Sequence, residues 1–192
     1  MAITDDDALA GRKRKHEEEY FRKQDQELID KMRRAAEAAR ARQDLEERTG
    51  LHDPEFLNEL ETLGFTPGTV HLLPLVPLIQ VAWAEGGISD AERKQIVALA
   101  RTRGIQPGSA ADAQLEAWLA ARPPDYVFTG ATRLIRAMLT AHSPEMHDLD
   151  ADDLVKYCEG IAAASGGILG MGKVSAEERV ALVEIAQQLK TR

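Results

Sequence analysis

One phrase occurs twice in this chain, 86 positions apart. Gly86-Gly87-Ile88-Ser89-Asp90-Ala91-Glu92-Arg93 returns as Gly172-Lys173-Val174-Ser175-Ala176-Glu177-Glu178-Arg179. Ile96, Leu99 and Ala100 then align with Leu182, Ile185 and Ala186. Each copy reads as a tight turn, an aliphatic residue and a Ser-x-x-Glu that opens an amphipathic helix. In such a box the Ser hydroxyl accepts from the amide three residues on, and the Glu reaches back to the Ser amide. Ser89, Glu92, Ser175 and Glu178 are therefore expected to be caps. Two copies predict a duplicated helix–turn–helix unit and a body built from two related halves.

The rest of the chain supports an all-α fold. Aromatics make up only 5% of the residues, so the core must be aliphatic, which suits stacked helices better than a β-sandwich. Segments of helical period recur. Asp53-Pro54 opens one with Phe56, Leu57, Leu60 and Leu63 on a face, closed at Gly64. Leu75 to Ala84 is apolar all round, as a central helix is, with Pro74 and Pro77 setting its start. Residues 89–103 end at Gly104, and 110–121 are stopped by Pro123-Pro124. Val127, Phe128, Ala131, Leu134, Ile135 and Met138 give the clearest stripe, which we extend to His142. Leu154, Tyr157, Cys158, Ile161 and Ala162 form another, and 175–190 is the last helix.

The first fifty residues differ in kind. They hold 12 Lys/Arg against 13 Asp/Glu, while residues 51–192 hold 12 against 19. Residues 1–11 read as a disordered tail. From about residue 12 to 50 strong helix formers dominate, with acid-to-base pairs four apart such as Glu18–Arg22 and Glu27–Lys31. The expectation is a long projecting helix of about 50 Å, with a coiled-coil-like charge pattern, followed by a helical domain over 51–192. Tyr20 and Phe21 stand out on it. Two adjacent aromatics on a polar helix, rimmed by Glu18, Glu19 and Arg22 and followed by Leu28, suit a protein partner's groove, or else pack back on the body or pair in a homo-oligomer.

Several chemistries are disfavoured. An acidic body argues against nucleic acid. The longest apolar stretch, Leu72 to Ala84, has 13 residues, too few for a transmembrane helix. A single cysteine, Cys158, excludes an intrachain disulfide and fits a reducing, cytoplasmic setting. Gly167-Ile168-Leu169-Gly170-Met171-Gly172-Lys173 has phosphate-loop spacing, but Val174 stands where a Ser or Thr should hold magnesium. His142 and His147 lack the spacing of a helical zinc pair. No catalytic constellation is present, so no enzyme is expected. Glu85, Asp90 and Glu92 surround the first repeated turn, and their oxygens suit a divalent cation, calcium or magnesium.

The body resembles the tellurite-resistance TerB-like family. The resemblance rests on Leu78-Ile79-Gln80-Val81-Ala82-Trp83-Ala84-Glu85-Gly86-Gly87-Ile88-Ser89-Asp90-Ala91-Glu92-Arg93 and extends over residues 70–190 through the duplicated phrase. It implies a compact helical module of stress-response systems, with metal binding suggested for the acidic residues. Glu85, Asp90 and Glu92 are the positions here that match, with Glu85 in place of the usual Asp. Met171 and Ala176 stand at the equivalents of Glu85 and Asp90 in the second copy or close to them. The N-terminal helix is similar to the inhibitory segment of the mitochondrial ATPase inhibitor family, through Arg12-Lys13-Arg14-Lys15-His16-Glu17-Glu18-Glu19-Tyr20-Phe21-Arg22 and Gln26-Glu27-Leu28. That likeness implies an inhibitor of the rotary ATP synthase. The first likeness implies a non-enzymatic interaction module with divalent-metal sensing.

Overall fold

The computed structural model describes residues 5–164 and 174–190, and side chains from residue 18 onward. Eight α-helices and two 3-10 turns make up the described residues, with no strand among them. The chain divides into two compact units, residues 1–42 and 43–192.

Helix α1 runs unbroken from Asp5 to Thr49. It therefore begins inside the stretch expected to be a disordered tail. The unit boundary also lies earlier than residue 50. The last two turns of α1 belong to the second unit because Leu45 and Thr49 are buried there. Thr49 Oγ1 donates to the Leu45 carbonyl at 2.7 Å and accepts from the Leu51 amide at 3.3 Å, so its burial leaves no polar atom unmet.

In the second unit α2 (Pro54–Thr62) is capped by Asp53, whose carboxylate accepts from the Glu55 amide. A 3-10 turn, Val70–Leu75, carries Pro74, and α3 (Val76–Ala82) follows with Pro77 in its first turn. Proline is tolerated there because the first helical amides have no partner to lose. All of α3 except Gln80 is fully buried. Helix α4 (Asp90–Thr102) ends at Gly104, φ +82, with the Ile105 amide bonded back to the Ala100 carbonyl. Helices α5 (Ala110–Ala120), α6 (Asp125–Thr140), α7 (Ala151–Ala164) and α8 (Ala176–Lys190) complete it.

Two hairpins interlock around α3. Helix α3 packs on α7 and α8, while α7 packs on α3 and α4. The relation is reciprocal: each hairpin's first helix touches both helices of the other. This is the arrangement that two halves of related sequence produce when each buries its apolar face against the other. Helix α6 covers α3 and α8 and closes against α2. At that last contact a Cβ on Gly130 would sit 2.7 Å from Leu63 Cδ1, so the glycine permits the close approach.

Two expectations need correction. The α6 stripe stops at Thr140, and exposed His142 takes φ +53 as the chain turns. The Ser143 amide bonds back to the Met138 carbonyl at 2.9 Å, which ends the helix before Pro144. Tyr157 is 40% exposed. Leu154, Cys158 and Ile161 fill the buried face of α7, and Tyr157 lies at its edge.

Candidate functional site

Each copy of the repeated phrase closes a capping box. Ser89 Oγ accepts from the Glu92 amide at 3.3 Å, and Glu92 Oε2 accepts from the Ser89 amide at 2.7 Å. Between Ser175 and Glu178 the same two bonds measure 3.0 and 2.8 Å. The short spacing dictates this much locally. The burial is not local: Glu92 is 2% and Glu178 1% exposed. Carboxylates are rarely so deep.

Burial holds the Glu92 carboxyl above its ordinary value of 4.5. The hydrogen bonds from Ser89 pull the other way, and the charges of Glu178 and Glu85 push it up further. Glu178 acting on Glu92 means that the fold brings the two capping acids, 86 positions apart, into one electrostatic neighbourhood. A glutamine would complete either box without charge. Two buried carboxyl groups in one neighbourhood are a departure from stability alone, of the kind concentrated at functional sites.

Of the three acids expected around a cation, one is engaged and two are exposed. Glu92 Oε2 is turned to its own cap, while Glu85 and Asp90 are exposed, Asp90 in the first turn of α4. Among the described residues no three His, Cys, Asp or Glu side chains gather so as to hold a metal ion. His142 and His147 are exposed, and the His147 ring bonds the Pro144 carbonyl. Burial, and secondarily the charge of Glu159, push the Cys158 thiol up to about 12, so it packs as a small apolar side chain. The phosphate-loop-like phrase 167–173 lies outside the described residues.

The residues expected to take a partner lie in the first unit. Tyr20 and Phe21 are 60% and 63% exposed, and their rings meet edge-on at 6.0 Å. Leu28, Ile29 and Met32 are exposed too, as are Glu18, Glu19 and Arg22. Phe21, Leu28 and Met32 are spaced by seven and four, which places them on one helical face.

Two features of the second unit were not legible in the sequence. The first is a polar network at the end of α1. Arg48 Nη1 lies 3.2 Å from His71 Nε2, and His71 Nδ1 lies 2.8 Å from Glu145 Oε2. Arginine only donates, so Nε2 accepts and Nδ1 carries the proton toward Glu145. Ser143 Oγ donates to the Arg48 carbonyl, and Arg103 Nη2 to that of Glu145. These partners are 23 to 95 residues apart, so no local spacing announces them.

The second is a groove of about 800 Å³ between the start of α2 and helix α6. Leu51, Phe56, Ala137 and Ala141 line it, with Arg133 and Arg136 on one side. The Arg133 guanidinium is forked onto Glu59, with Nε 2.9 Å from Oε2, and this bond raises its pKa. Arg136 is exposed and makes no ion pair among the described residues. No helix among the described residues is long and apolar enough to cross a membrane. The chain matches no protein-family model, no curated protein and no solved structure.

Proposed function

We propose that this protein is a non-enzymatic, TerB-like interaction module. Its interlocked helical body is the folded platform, and helix α1 takes a protein partner through Glu18, Glu19, Tyr20, Phe21, Arg22 and Leu28. The observation that carries this reading is the exposure of Tyr20, Phe21, Leu28, Ile29 and Met32 within thirteen residues of an otherwise charged helix. Ordering large apolar side chains in water brings no gain, whereas aromatic anchors inside a polar rim commonly carry about 2 kcal/mol or more of binding. The reading predicts that full-length Tyr20→Ala/Phe21→Ala captures its partner at least about tenfold more weakly. Unchanged capture would remove the arm from the function.

A second reading draws on the same helix. Residues 11–34, which resemble the ATPase inhibitor segment, lie within one continuous helix, and its aromatics are exposed. An inhibitor of the rotary ATP synthase would act through Glu17 to Leu28. Adding the full-length protein to purified ATP synthase should then slow ATP hydrolysis, and Tyr20→Ala/Phe21→Ala should abolish the effect. No inhibition by the wild type would dispose of this alternative and leave the interaction module standing.

A further inference from the structure

We propose that the groove between α2 and α6 receives the Phe21 face of α1 from a second copy of this chain, in a twofold dimer that exchanges its arms. The inference rests on the reading of α1 as a binding arm and names its occupant. The groove has the apolar floor such an anchor needs: Leu51, Phe56 and Ala137. Its volume, about 800 Å³, lies within the roughly 300–1,000 Å³ of pockets that bury a compact ligand.

Charge selects the occupant. Arg133 and Arg136 stand on the α6 wall, one paired to Glu59 and the other without an ion pair among the described residues. On α1, Glu18 is three residues before Phe21 and Asp25 four after it, so both share its face. Two acids flanking an aromatic thus match Arg136, the α6 guanidinium without an ion pair among the described residues, beside an apolar floor. Asp53 and Glu55, at the start of α2, also line the groove and offer Arg22 a countercharge. Twofold symmetry makes the contact twice, and two linked contacts hold far better than either alone.

Analytical ultracentrifugation of the full chain at high micromolar concentration tests this. The wild type should sediment as a dimer. Arg136→Glu, at an exposed position, and Glu18→Lys/Asp25→Lys should each weaken dimerisation at least about tenfold, with thermal melting used to verify that each variant remains folded. An equimolar mixture of the two variants should recover the dimer. In that mixture a wild-type arm meets a wild-type groove, and a basic arm meets an acidic groove. A monomeric wild type would overturn the proposal, whether the groove holds the chain's own arm or a foreign protein. A dimer indifferent to Arg136→Glu would overturn the groove assignment, and a monomeric mixture would overturn the pairing. The arm reading fails separately: it falls if Tyr20→Ala/Phe21→Ala changes neither dimerisation nor partner capture. A monomeric wild type that still needs those aromatics for capture sinks only the groove.

Discussion

Helices α1 and α6 are held by different physics. Along residues 18–42 α1 keeps nearly every side chain exposed, and it carries local hydrogen bonds: Gln26 Nε2 to Asp30 Oδ1 at 3.0 Å, Arg34 Nε to the Asp30 carbonyl. Helix α6 buries Val127, Phe128, Ala131, Leu134, Ile135 and Met138 on one face. The first is a helix by propensity and short-range pairing, each pair adding only about 0.2–0.5 kcal/mol. The second is a helix because its face is buried. A helix of the first kind can spend its apolar residues on a partner without loss to the fold.

The sharpest way to test that contrast is in the core. Leu134 and Leu78 are fully buried, and either Leu→Ala change should cost about 2–5 kcal/mol in denaturant unfolding. A loss below 1 kcal/mol would mean that burial does not hold the body together. Next in size are the caps. Ser89→Ala and Ser175→Ala should each lower stability by about 0.5–2 kcal/mol. If only one does, the two copies are not energetically equivalent despite their matching bonds.

Glu92→Gln should go the other way. The glutamine keeps the acceptor for the Ser89 amide and removes a buried charge, so the melting temperature at neutral pH should hold or rise. The sign with pH follows from the raised Glu92 pKa. Between that raised value and 4.5 the folded state binds more protons than the unfolded state, so wild-type stability at this site rises as pH falls. The advantage of Gln is fully present above the window and should shrink on acidification through it. A gap that widens instead would refute the account of Glu92. The smallest effect belongs to α1: Tyr20→Ala/Phe21→Ala should leave stability within about 0.5 kcal/mol. A larger loss would make those aromatics part of a core and erase the comparison.

Helix–turn–helix duplication, the Ser-x-x-Glu spacing and the apolar run into α3 all lie within windows of a dozen residues, so the chain's order alone carried them. One local signal was overlooked: Ser109-x-x-Asp112, where Ser109 Oγ accepts from the Asp112 amide at 3.1 Å and caps α5. Sequence proximity around the first turn does not say which way a carboxylate turns: Glu92 Oε2 faces the Ser89 amide.

Sequence by itself determined the helical class, the two caps and the placement of five apolar side chains on a charged helix, because periodicity and short-range hydrogen bonds need only neighbours. Tertiary structure alone decided the rest. It buried Glu92 where the charge of Glu178 reaches it, joined Arg48 to His71 and Glu145, and opened the groove beneath Arg136. Each of these sets side chains from distant stretches of chain against one another, and only the packing of the helices fixes which of them meet.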